Sequence, residues 1–118
     1  MGELVDLISV RRARRRRVVY FSRPELTALL GVFSRHVLSG EWRDYSIDNS
    51  EAFAAFCVYR RAHDEPLYKI LRLTPKAHPK GEYLLIRGNT RIRRADSLAG
   101  VLGALTPVLR AVQGVQGV

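Results

Sequence analysis

Apolar residues recur along this chain at two spacings, and the change from one to the other falls at Gly40. Before it, Leu26, Leu29, Leu30, Phe33 and Val37 form one stripe at the helical period, which predicts an amphipathic helix running to residue 39. Ser22-Arg23-Pro24-Glu25 supplies its start. The serine hydroxyl can accept from the Glu25 amide while that carboxylate reaches back, and a proline in the first turn loses no intrahelical hydrogen bond. Arg35 lies in the last turns, where a cation complements the helix dipole. Gly40 can take the left-handed conformation that ends a helix. Beyond it the period is two, with Trp42, Asp44, Ser46 and Asp48 on one side and Arg43, Tyr45 and Ile47 on the other. Residues 40 to 48 are therefore a helix-to-sheet junction.

Further strands are predicted on both sides of that junction. Val18-Val19-Tyr20-Phe21 reads as a first strand. Ala52 to Arg61 reads as a long one, with Phe53, Ala55, Cys57 and Tyr59 facing one way and Ala54, Phe56 and Val58 the other. Apolar residues on both faces imply an interior, covered position. Leu67 to Leu73 returns the chain, and the prolines and glycine of 74–81 make a loop. Tyr83 to Arg87 and Thr90 to Arg94 flank Gly88-Asn89, a two-residue hairpin turn with glycine first. Pairing outward from that turn sets Leu85 opposite Ile92 and Tyr83 opposite Arg94, which leaves Arg91 and Arg93 as an exposed basic pair. Asp96 or Ser97 can cap a last helix striped by Leu98, Val101, Leu102, Leu105 and Leu109. Its glycines would permit close approach to the sheet, and Pro107 would break it. The expected fold is α+β, an antiparallel sheet of five to six strands with one amphipathic helix after the first strand and a C-terminal helix. One domain is expected over residues 18–112, with a flexible basic arm over 1–17 and a tail over 113–118.

Composition changes the picture in one place. The 118 residues carry a net charge of +9, and Arg11, Arg12, Arg14, Arg15, Arg16 and Arg17 supply most of it. Like charges that close repel and favour an extended, solvated chain. The preceding Leu4, Leu7 and Ile8 have helical spacing, but so short a segment does not hold a helix alone in water. The apolar content of 47% and charged content of 26% suit a globular domain. A single cysteine, Cys57, excludes an intrachain disulfide and a cysteine-based zinc cluster. No apolar run reaches a membrane span, and Glu3 and Asp6 stand where a signal peptide would be basic. Position 6 also fails the myristoylation pattern. A cytoplasmic location is expected.

The chain shows no familiar catalytic constellation: no phosphate-binding Gly-Lys-Ser/Thr loop, no nucleophile elbow and no zinc helix. Asp44 and Asp48 on one strand stand about 13 Å apart, beyond the roughly 5 to 9.5 Å of a glycosidase pair. His36, His63 and His78 read as solvated surface residues, and Cys57 reads as inert strand packing. The expectation is a protein that is not an enzyme, with no cofactor and no metal. Its expected role is contact with nucleic-acid phosphates, without sequence preference, through the arginine arm and through Arg91 and Arg93. Arginine offers bidentate donors to phosphate and displaces condensed counterions. An acidic protein is the other partner that such an arm suits. The alternative role is a protein–protein adaptor whose surface is Trp42, Arg43, Asp44 and Tyr45, since Trp and Arg are frequent hot-spot residues. That role requires Trp42 to be partly exposed beside an apolar patch. An enzyme would require a pocket gathering Glu41, Asp44 or His36 with residues of other strands.

Tyr20-Phe21, Arg23, Glu25-Leu26, Gly40-Glu41-Trp42-Arg43-Asp44-Tyr45 with Ile47-Asp48, Arg60-Arg61-Ala62 and Pro66-Leu67-Tyr68 resemble a small bacterial family known only as a domain of unknown function. The resemblance spans roughly residues 18 to 110, and its Gly-Glu-Trp-Arg-Asp-Tyr string is specific. It implies a compact α+β domain in a bacterial cytoplasm and supplies no activity, cofactor or catalytic residue. The arginine run lies outside it.

Overall fold

The computed structural model describes residues 18–61, 64–74 and 82–105. The elements in order are α1 (Arg23–Leu38), β1 (Asp44–Asn49), β2 (Phe53–Tyr59), β3 (Tyr68–Leu73), β4 (Tyr83–Arg87), β5 (Thr90–Ala95) and α2 (Leu98–Leu102). The five strands form one antiparallel meander in the order β1-β2-β3-β4-β5, as the α+β reading expects. The arm over 1–17, the tail over 113–118, His63, His78 and Pro107 lie outside the described residues.

Both ends of α1 follow from the local sequence. The Ser22 amide donates to Glu25 Oε1 at 2.7 Å and the Glu25 amide donates to Ser22 Oγ at 3.3 Å, which completes the capping box. At the other end Gly40 sits at φ 82°. Its amide donates to Val37 O and the Glu41 amide to His36 O, the paired bonds of a Schellman turn. The chain thereby doubles back under the helix, and Trp42 enters the core before β1 begins at Asp44.

The helices cover one sheet face. Ala54, Phe56, Val58, Ile70 and Leu85 meet Phe21, Leu29, Trp42, Leu98, Val101 and Leu105 there, in one buried cluster. On the opposite face, Ala55, Cys57 and Leu84 are also buried, so β2 is the two-sided interior strand that its sequence describes.

Four details differ from the expectation. Residues 18–21 run extended without joining the sheet: among the described residues their one backbone bond is Val19 N–H to Ser50 O, at 2.8 Å, in the turn after β1. The chain leaves the sheet plane because Phe21 must reach the core and Ser22 must cap a helix lying above the strands. His36 is buried, not solvated. It replaces Val37 in the packed stripe, and Leu30 and Val37 are left part-exposed on the helix flank. The β4–β5 register shifts between Leu85 and Ile86, so Leu85 stands opposite Arg93, Ile86 opposite Arg91 and Tyr83 opposite Ala95. A bulge inserts one residue and flips every later side chain. Finally, α2 starts at Ser97, whose hydroxyl accepts from the Gly100 amide at 3.1 Å, and it ends at Gly103. Gly100 makes the expected close approach: a Cβ there would lie 2.7 Å from that of Ala95.

Candidate binding site at the arginine-rich end of the sheet

Antiparallel alternation brings the start of β1, the end of β2, the start of β3 and the β4–β5 turn to one end of the sheet. The C-terminus of α1 reaches the same end through Gly40. A bond from the Arg43 amide to Tyr59 O, 2.8 Å, ties the chain after the helix to the end of β2. Arg60 and Arg61 follow β2 directly. The outcome is a cavity of about 480 Å³ lined by Val37, Gly40, Trp42, Arg43, Arg60 and Arg61. Arg60 also borders a neighbouring cavity of about 640 Å³, whose lining includes Asp64, Glu65, Arg87 and the Gly88–Asn89 turn. Arg43, Arg60 and Arg61 make no ion pair with any described residue. Three cations therefore surround one concavity without a matching carboxylate among the described residues.

Aromatic stacking fixes the floor. Trp42 is 2% exposed. It stacks on the His36 ring at 3.9 Å and 12°, and it meets Phe33 and Tyr68 at 6.2 and 5.9 Å. His36 Nδ1 donates to Val32 O at 2.8 Å, and its Nε2 faces the Glu41 carboxylate at 4.0 Å. The Arg87 guanidinium sits 5.8 Å from the centre of the Tyr68 ring. The indole Nε1 is buried with no acceptor among the described residues.

The sequence candidates separate in space. Arg43 lines the cavity, with Trp42 beneath it. Asp44 opens β1 and accepts from the Tyr45 amide at 2.8 Å. Tyr45 packs on Phe33 and Phe56. The exposed tryptophan that an adaptor surface needs is absent, because Trp42 is a core residue. Glu41 and His36 meet, but neither cavity is lined by them together with Asp44. The expected Arg91–Arg93 pair is split by the bulge: Arg91 shares a face with Ile86, and Arg93 turns to the helix side, where it donates to Gly100 O at 3.1 Å. Arg11, Arg12, Arg14, Arg15, Arg16 and Arg17 lie outside the described residues. Arg60, Arg61 and Arg87 were not candidates. Their sequence signal is position: two of them directly follow the apolar run of β2, and the third precedes the hairpin glycine.

A second polar cluster occupies the opposite end. Glu25 accepts from Arg72 Nη1 at 2.8 Å and from the Tyr83 hydroxyl, and the same Arg72 nitrogen donates to Tyr20 O at 2.7 Å. Burial pushes the Glu25 carboxyl upward, yet the Ser22 amide, the Tyr83 hydroxyl and Arg72 together outweigh it and hold the group below the usual glutamate range. Burial, and then the bond to Glu25, raise the Tyr83 phenol. This cluster clamps α1 to β3 and β4. Burial, with Asp48 nearby, also raises the Cys57 thiol, which keeps it protonated and unreactive. Among the described residues no group of His, Cys, Asp and Glu is arranged to hold a metal, and no helix is long and apolar enough to cross a membrane.

The fold and its cavity define a small α+β domain with a cationic concavity at one end of its sheet. A family model described as a protein of unknown function, DUF2794, matches residues 19–102, and the chain belongs to that family. Comparison with curated proteins and with solved structures found no match.

Proposed function

We propose that this is a non-catalytic bacterial protein of the cytoplasm that binds nucleic-acid phosphates. The observation that carries the reading is the placement of Arg43, Arg60 and Arg61 around one cavity with no acidic partner among the described residues. Guanidinium groups left without counter-charge at a concave surface favour an anion with several oxygens, and phosphate matches their forked donors. The arm of six arginines supplies the remainder of the field. Contacts of this kind position a phosphate chain and carry little base specificity.

Fluorescence anisotropy with generic labelled DNA and RNA over a salt series tests this in the full-length protein. Full engagement of the arm gives a log–log salt slope of about −5 on duplex DNA, because each phosphate contact contributes roughly −0.9. Changing the six arm arginines to glutamine is expected to flatten that slope, and Arg43→Gln/Arg60→Gln/Arg61→Gln to weaken binding further without unfolding the domain. Absence of binding at low salt by the unaltered protein would sink the proposal.

A further inference from the structure

Among the described residues β1 is an edge strand with β2 as its one neighbour. Alternate amides and carbonyls of such a strand point away from the sheet toward no other strand. Its Tyr45 and Ile47 share a face with Phe56 and Val58, under α1. The Phe33 ring meets Tyr45 edge-on at 4.9 Å. Helical geometry then sets Leu30 and Val37, one turn on either side of Phe33, on the flank turned toward β1. Leu30, Val37, Tyr45 and Ile47 are large apolar side chains exposed by 37% to 40% each. They form an apolar trough whose wall is an open backbone ladder. The other face of the same strand carries Asp44, Ser46 and Asp48, and neither carboxylate has an ion pair among the described residues.

We infer that this edge receives an extended segment of a partner protein in which basic residues alternate with apolar ones, added to the sheet as a sixth strand. The period of two sorts its side chains. Apolar residues fall into the trough beside Leu30, Val37, Tyr45 and Ile47, and basic residues meet Asp44 and Asp48 across the strand. The charges also disfavour the simplest competitor, a second copy paired about Ser46. Pairing β1 symmetrically with a second copy of itself sets Asp44 against the copy's Asp48, and like charges directly opposite destabilise a sheet. Val37 borders both this trough and the arginine cavity, but the phosphate reading rests on the cations at the sheet end and this inference on the β1 edge and its two carboxylates.

Titration of the full-length, isotopically labelled protein with two synthetic peptides tests it, one alternating arginine and valine and one alternating glutamate and valine, each of about eight residues. The arginine peptide is expected to shift the β1 amides and slow their hydrogen exchange. The glutamate peptide should bind about tenfold more weakly, the size expected for two cross-strand charge pairs exchanged for two repulsions. In Asp44→Lys/Asp48→Lys the order of the two peptides should invert. Ile47→Glu should abolish binding while the amides of β2 to β5 keep their positions. Equal binding of both peptides, unmoved β1 amides, or binding undiminished by Ile47→Glu would overturn the inference. So would concentration-dependent β1 shifts without peptide, which would seat a second copy there. Binding that appears only once the six arm arginines are replaced would give the groove to the chain's own arm and overturn it as well.

Discussion

Removing the Glu25 side chain tests whether the clamp between helix and sheet holds the domain together. Three attachments end at this carboxylate: the Ser22 amide at 2.7 Å, Arg72 at 2.8 Å and the Tyr83 hydroxyl. Loss of the cap costs about 1 kcal/mol. Hydrogen bonds to a charged group contribute about 1.5 to 3 kcal/mol each, but the Arg72 side chain is 36% exposed, so water compensates part of its loss. Glu25→Ala should therefore destabilise by about 3 kcal/mol in total, and a domain of this size should melt about 15 °C lower. Tyr83→Phe, which removes one hydroxyl, should cost about 1 kcal/mol, and Glu25→Gln should fall between the two. Urea unfolding followed by far-ultraviolet circular dichroism measures all three. A Glu25→Ala protein within about 0.5 kcal/mol of the parent, the range of an ordinary surface substitution, would refute the clamp.

The same carboxylate sets a pH dependence with a definite sign. Its folded pKa lies below the unfolded value, so the stabilisation is fully present above the ordinary glutamate pKa and is lost as pH falls through the lower folded value. Tyr83 has the opposite sign: its folded pKa is raised, so its contribution holds below the ordinary tyrosine value and disappears as pH rises through the folded one. Glu25→Gln should flatten the acid limb of the stability profile and also weaken the alkaline limb, of which only the part due to burial of Tyr83 should stay in place. An unchanged acid limb would show that other groups control it.

Three further outcomes follow from single positions. Gly100→Ala sets helix propensity, worth about 1 kcal/mol in its favour, against a Cβ contact of 2.7 Å with Ala95; overpacking of about 1–3 kcal/mol should win, and a raised melting temperature would show that β5 yields. Gly40→Ala meets no neighbouring atom within 4 Å, so its cost is only the left-handed backbone, about 1 kcal/mol; Gly40→Asn should recover part of that in thermal melts. Cys57 should react slowly with a disulfide reagent at pH 8 in the native protein and quickly in denaturant, because burial raises its pKa; equal rates would place the thiol at the surface.

How far the fold was legible depended on whether a signal was local. The capping box, the Gly40 stop and the hairpin glycine each act within a few residues, and all three stand where the sequence places them. The misreadings required information from elsewhere in the chain. His36 joins the core because Trp42, doubled back by Gly40, supplies a flat partner for its ring, and one helix read alone offers no such partner. The β4–β5 bulge reverses the side chains after it, so Arg91 and Arg93 separate although the turn itself was correctly located. Residues 18–21 have strand-like composition, but Phe21 and the Ser22 cap draw them off the sheet plane. The cavity was the least legible feature: Arg43, Arg60 and Arg61 come from two segments joined only by pairing between β1 and β2.

Arginine is used in two ways at the two ends of one sheet, and the contrast bears on function. At the clamp, Arg72 is neutralised by Glu25 and further held by Tyr20 O, so its charge serves cohesion between helix and sheet. At the opposite end, Arg43, Arg60 and Arg61 surround a hollow without such a partner among the described residues. Mutual repulsion there opposes folding, and nothing in the packing requires it: Trp42, His36 and Phe33 already close the core beneath. A charge arrangement that adds no cohesion and costs stability is the form that a binding surface takes, with its neutralising group arriving from outside. Arg43→Gln/Arg60→Gln/Arg61→Gln should therefore leave melting temperature unchanged or raise it, while phosphate binding falls. A lowered melting temperature in that variant would assign the three arginines to the fold and remove the basis for the site.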